Sequence, residues 1–162
     1  MESAKINKKG KATLAFLGDI NVGGRISSLL PEKGPEWFWG DLLPFLQEAD
    51  GAIANLETPL TSSFAKWPKF KIFKFRADPQ AVEIMQAANI GLVNIANNHI
   101  LDRQERGLRD TLIHLDEAGI ARTGVGLDPE EAARPGFIDL PGLKIGMIGF
   151  TDNMPGWRVL HN

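Results

Sequence analysis

Cysteine is absent from the 162 residues, and histidine occurs only three times. Without cysteine there are no disulfides and no thiolate metal sites, and the redox compartment stays open. Long apolar runs are missing too. Nothing approaches the ~20 residues of a membrane-spanning helix. The lysine-rich start, Met1–Lys11, leads into "ATLAFL", which Gly18-Asp19 interrupts too early for the apolar core of a signal peptide. A cytoplasmic location is therefore expected. Charge of one sign is also missing, with 18 Lys and Arg against 20 Asp and Glu and a formal net charge of -2. That balance gives nucleic acid no electrostatic claim as the main partner.

What remains is a sequence of 43% hydrophobic residues with mixed charge, long enough for one domain with a real core. Residues 1–11 read as a polar tail and 12–162 as the domain. Short apolar runs alternate with helical patterns. "TLAFL", "GAIANLE" and "LVNIA" read as buried strands. "DLLPFLQEAD" reads as a helix if Pro44 lies in its first turn. Asp78-Pro79 offers an N-cap followed by proline at the first helical position, with Val82, Met85 and Ala88 as the apolar stripe. Leu108, Leu112 and Leu115 mark one face of a further helix ending at Gly119. Asp128-Pro129 opens a short helix, with Glu131 placed for a capping box. "GFIDL" and "KIGMIGF" form a strand pair around Pro141-Gly142. Strands separated by helices imply βαβ units, an α/β fold and a mostly parallel sheet.

Ligands of open α/β sheets sit beyond the carboxyl ends of the strands. The first strand ends in Asp19, the second delivers Asn55 and Glu57, and the third delivers Asn97, Asn98 and His99. Two carboxylates, amide oxygens and an imidazole would thus gather at one rim. That donor set suits Mn²⁺, Fe or Zn²⁺. Each residue has a plainer alternative. Asp19 can cap a turn, Glu57 can be a solvated strand end, and the asparagines with His99 can form a surface turn. Asp102-Arg103-Gln104-Glu105 resembles a capping box for the following helix.

"FLGDINVGGR", "ADGAIANLETPL", "FKFRADP", "ANIGLVNIANNHILDRQERGLRDTLIHLDEAGI", "TGVG" and "KIGMIGFTDNMPGW" resemble, in that order, the CapA family. These are capsule-synthesis proteins associated with poly-γ-glutamate and similar to calcineurin-like metallophosphoesterases. The resemblance implies a layered α/β sandwich and a site holding a divalent metal, two ions in all. Carried over by position, Asp19 and Glu57 would be metal-binding carboxylates and Asn98 an amide ligand. His99 would protonate the leaving oxygen or stabilise phosphoryl charge, with Asp102 orienting it. The family continues with "HWG"-like and "GHxH"-like segments that supply further histidines, and only His114 and His161 remain here. The resemblance therefore implies the amino-terminal half of a member, incomplete at the C-terminus and catalytically silent alone. A free sheet edge there would favour self-association.

Weaker features surround this set. Lys66, Lys69, Lys71, Lys74 and Arg76 interleave with Trp67, Phe70, Phe73 and Phe75. Lys71, Lys74 and Arg76, with Asn55 and Asn97, are candidates for binding a phosphoester or a polyglutamate-like polyanion. The alternative is an amphipathic edge strand with a bulge near Ile72-Phe73. Trp37, Phe38 and Trp39 suit core or lid packing, and Gly124 to Gly126 a plain turn. The function expected is a metal-dependent phosphoesterase-like hydrolase of capsule or poly-γ-glutamate synthesis. The alternative is a non-enzymatic component that binds a polyanion or a synthase partner.

Overall fold

The computed structural model describes residues 11–154. His161, most of the polar tail and the residues after Met154 lie outside that span. Four parallel strands, β1 (Leu14–Ile20), β2 (Gly51–Leu56), β3 (Ile90–Asn94) and β4 (Ala121–Thr123), form one sheet in chain order. Between them run α1 (Arg25–Lys33), α2 (Leu43–Glu48), α3 (Val82–Ala87) and α4 (Gln104–Glu117). A short α5 (Pro129–Ala132) precedes a hairpin of β5 (Gly136–Leu140) and β6 (Leu143–Met147). The fold is α/β with a parallel sheet, as the strand–helix alternation implies. Among the described residues no helix is long and apolar enough to cross a membrane.

The larger core packs helices on one side of the sheet. Met85 from α3, Ala88 just after it, and Leu112 and Leu115 from α4 join Ala52, Ala54 and Val93 from the strands. Trp39 packs against this core and donates its indole N–H to the Ile84 carbonyl at 2.7 Å. The hairpin covers the opposite side, where Ile138 and Leu140 meet Ile53 and Leu92. Glycine makes that approach possible: a Cβ at Gly51 or Gly91 would come within 2.8 Å of Ile138 Cδ1. Ile138→Ala should open a cavity between hairpin and sheet and lower stability by about 2 kcal/mol. Urea unfolding would show it as a lower midpoint at unchanged slope.

Several local expectations need correction. The segment 21–35 carries α1, whose Ile26 and Leu30 supply the apolar side of a helix that its glycines and prolines conceal. Asp78 makes no side-chain cap, and its carboxylate pairs with Arg76 instead. Asp128 does accept from the Glu131 N–H at 2.7 Å, but the Glu131 carboxylate turns to the Leu127 N–H and to Arg122. The Lys66–Arg76 segment is not a strand. Its only strand-like pairing is the bridge from Leu60 to the following Ala77, and it folds over the turn after β3 as an irregular loop.

Candidate functional site

The sheet register sets the site. Asp19 pairs with Asn55 across β1 and β2, and Asn55 with Asn94 across β2 and β3. One rung near the carboxyl ends of three strands is therefore polar, and its side chains bond in a row. Asn55 Nδ2 donates to Asp19 Oδ1 at 2.8 Å and to Glu57 Oε2 at 2.6 Å. Asn94 and Asn97 donate their amide hydrogens to Asn55 Oδ1 at 2.8 and 3.3 Å. Asn55 thus uses both halves of its amide, one to hold two carboxylates together and the other to fix their position.

The turn after β3 carries the second half of the site. Asn97 ties it to β2 by donating to the Leu56 carbonyl at 2.9 Å, and its own Oδ1 accepts from the His99 N–H at 3.0 Å. His99 Nδ1 lies 2.6 Å from Asp102 Oδ2, while Nε2 faces Glu57 Oε1 at 3.7 Å. The Phe75 ring stacks on the imidazole with centroids 4.1 Å apart. Imidazole edge and face are both fixed by neighbours.

Asp102 is fully buried. It accepts from Lys71 Nζ at 2.5 Å, from the Phe75 N–H at 2.6 Å and from His99. Burial alone would raise its pKa; the bonds from His99, Lys71 and the Phe75 N–H, with the Lys71 charge, outweigh that and hold it below the usual carboxylate range. The capping box does not form: Arg103 occupies the N-cap position without a side-chain cap. Gln104 opens α4 at φ 59°, a left-handed conformation uncommon outside glycine. The Asp102 carboxylate turns instead toward His99.

Lys71 is placed differently from a ligand-receiving surface lysine. Its side chain is mostly buried, and its ammonium also contacts His99 Nδ1 at 3.0 Å and the Asn98 carbonyl. Asp102 Oδ2, an ionised carboxylate oxygen that only accepts, lies 2.6 Å from Nδ1, so the Nδ1 proton of His99 is assigned to Asp102. Nε2 is then the nitrogen that faces the cleft. Asn98 enters this network through its backbone carbonyl; its side-chain amide makes no hydrogen bond among the described residues. His114 sits apart on α4, beside Glu117 at 3.3 Å.

Asp19, Glu57 and His99 therefore come together, with Asn55, Asn97, Asp102 and Lys71 holding them. Sequence reasoning missed Phe75, Asn94 and Arg103. Asn94 had a visible signal, since it is the polar end of an otherwise apolar strand. Phe75 had none beyond its place in "FKFRADP". Arg103 donates to the carbonyls of Phe75 and Lys74, both at 2.8 Å, and so fastens the loop over His99.

The donors are right in type for a hard or borderline cation but too few. Among the described residues no group of three or more His, Asp and Glu side chains is arranged to hold a metal ion. Asp19 and Glu57 are brought together only through the Asn55 amide.

Residues 13–160 match the profile of the bacterial capsule synthesis protein family PGA_cap. The capsule biosynthesis protein CapA of Bacillus anthracis is 25% identical over 150 residues, 91% of this chain and 36% of that protein. The PGA biosynthesis protein CapA of Bacillus subtilis is 25% identical over 139 residues, 85% of this chain and 37% of its own length. A protein of Mycobacterium tuberculosis named "Probable polyglutamine synthesis accessory protein" is 32% identical over 124 residues, 75% of this chain and 32% of its own. The chain thus spans about a third of the length of these relatives. With the profile matching nearly its whole length, the chain belongs to the bacterial capsule synthesis family PGA_cap.

Proposed function

We propose that this chain carries the histidine-bearing part of a phosphoester-hydrolysing centre that serves capsule or poly-γ-glutamate synthesis. The observation that carries this reading is the fixed imidazole. His99 is bonded at Nδ1 by Asp102, stacked by Phe75 and presents Nε2 beside Glu57. In hydrolysis, water adds to phosphorus, the phosphorus–oxygen ester bond breaks, Nε2–H gives its proton to the departing oxygen, and the proton shed by the attacking water passes through solvent to restore Nε2–H. Asp102 keeps the ring aligned during that transfer and offsets the charge of the protonated imidazole.

Asp19 and Glu57, held on one amide, would repel an anionic substrate by themselves. That repulsion supports a divalent cation, Mn²⁺, Fe or Zn²⁺, which would neutralise the carboxylates and the phosphoryl group together. Its remaining ligands, the Asn98 amide and donors from the part of the longer relatives that this chain does not span, belong to the same proposal.

The shortage of metal donors among the described residues favours a second reading. In it, the fold binds a polyglutamate-like polyanion for a synthase partner without turning it over. A phosphoester panel separates the two, run on this chain and on a longer relative with Mn²⁺, Fe²⁺ or Zn²⁺. Metal-stimulated phosphate release from the longer relative is expected. No release with any metal, alongside retained polyglutamate binding, would favour the accessory role.

A further inference from the structure

Phe75, which stacks on His99, also lines a neighbouring cavity of about 350 Å³. One side of that cavity is the Gly23-Gly24 turn and Ser27, where α1 begins; facing them are Lys74, Arg76 and Arg103. Three cations line the cavity, and no carboxylate does.

The cations are held by carbonyls more than by acids. Arg103 is buried, and its Nε and Nη2 go to the carbonyls of Phe75 and Lys74. Lys74 Nζ donates to the Trp67 carbonyl at 2.7 Å. Arg76 alone has an acidic partner, Asp78, and it also donates to the Thr61 carbonyl at 2.9 Å. Carbonyls orient these groups without cancelling their charge. Burial and then the like charge of Arg76 lower the Arg103 pKa, with the nearby Asp102 carboxylate acting in the opposite direction.

The backbone facing them is shaped for close approach. Gly24 caps α1 at φ 57° with no side-chain bond to the first turn. A Cβ at Gly23 would come within 2.9 Å of Thr58 Cγ2 and press on the Arg76 carbonyl. The Gly24 N–H donates to the Arg76 carbonyl at 3.2 Å and the Ile26 N–H to the Gly23 carbonyl at 3.2 Å, so the start of α1 is tied to the cavity wall and lends its partial positive charge to that of the three side chains. Asn21 joins cavity and centre, since its Oδ1 accepts from Thr58 Oγ1 at 2.7 Å next to Glu57 and from the Gly23 N–H at 2.9 Å.

We propose that this cavity is an anion subsite, taking one carboxylate or phosphate group of a polyanionic ligand whose neighbouring anionic group lies at His99. The pairing with His99 rests on the hydrolase reading; anion capture by Lys74, Arg76 and Arg103 does not. Arg103 and the α1 turn extend recognition beyond the loop lysines, and they select for at least two anionic groups in one ligand.

The test is a titration of this chain with inorganic phosphate and, separately, with tri-γ-glutamate, following the backbone amide shifts of Gly23 and Gly24. Both amides should move. Lys74→Gln and Arg103→Gln should each weaken the effect about tenfold or more, as expected for a lost charged hydrogen-bond donor. Arg103→Gln also loosens the loop, so Lys74→Gln, with its melting temperature unchanged, is the decisive variant. Displacement of phosphate by tri-γ-glutamate would identify the carboxylate polymer as source; a response to phosphate alone would identify a phosphoester. Still amides with both anions, or unchanged affinity in folded Lys74→Gln, would overturn the subsite. Anion binding that persists when the longer relative shows no turnover would retain the subsite and discard the hydrolase reading.

Discussion

Asp102→Ala is expected to lower folding stability by about 3–5 kcal/mol, the cost of breaking a buried pair by removing one partner. The carboxylate is fully buried and satisfies Lys71, His99 and the Phe75 N–H together. Its loss takes from the Lys71 ammonium, whose side chain is only 12% exposed, the carboxylate it pairs with at 2.5 Å. Removing both charges should be milder: Lys71→Met with Asp102→Leu is expected to recover much of the loss, because no buried charge is stranded. Urea unfolding of the four proteins in a double-mutant cycle measures this directly. The acid dependence has a fixed sign. With the folded pKa held below the ordinary 3.8, the contribution of Asp102 is present above that value and disappears as pH falls through the lower folded value. The stability gap between wild type and Asp102→Ala should therefore be constant near neutrality and close only below about pH 3.9. A gap that closed between pH 6 and 8 would place the effect on another group.

The same carboxylate shows why part of the site was legible in the sequence and part was not. Strand ends are visible from the chain alone, because an apolar run that stops at a polar residue marks both the strand and its rim. Asp19, Glu57 and His99 were found that way, and the sheet places them at one end. The choice between helix cap and histidine partner for Asp102 was not visible, since Asp102 lies three residues ahead of Glu105, as a capping box needs, and three residues after His99, within reach of its ring. It is settled by the loop from Thr61 to Ala77, which brings Lys71 and the Phe75 N–H onto the carboxylate from about 30 positions away. Local spacing carries no record of such contacts.

That loop is also where the pattern misled. Alternating lysine and aromatic residues imitate the period of a strand. Here Phe70, Ile72 and Phe73 stay exposed while Lys71 turns inward, so the apolar members are not the buried ones. Pairing with His99 and Asp102 outweighs the ordinary preference of lysine for water. α1 and β4 were missed for a simpler reason. Glycines at both ends of residues 21–35, with Pro31 inside the helix and Pro35 after it, mask nine helical residues, and a strand of three residues shows no period at all.

His99→Asn should lower turnover of a longer relative carrying the change by about 10²-fold or more, with KM nearly unchanged. The choice of asparagine matters. Its amide nitrogen can stand near the position of Nδ1 and keep a donor for Asp102, which His99 now supplies at 2.6 Å. What asparagine cannot supply is a group at the place of Nε2, 3.7 Å from Glu57. Alanine would remove both functions and confound a lost proton donor with a loosened Asp102. If His99 acts on the leaving oxygen, substrates with good leaving groups should lose less, because an oxygen that departs as an anion needs no proton. The measurement is kcat and KM for an alkyl and a nitrophenyl phosphoester in both proteins, beside their melting temperatures. A larger fall for the alkyl ester with melting temperature preserved is expected. Equal falls for both esters would assign His99 to stabilising phosphoryl charge, and undiminished turnover in a folded, metal-loaded His99→Asn protein would remove His99 from the chemistry altogether.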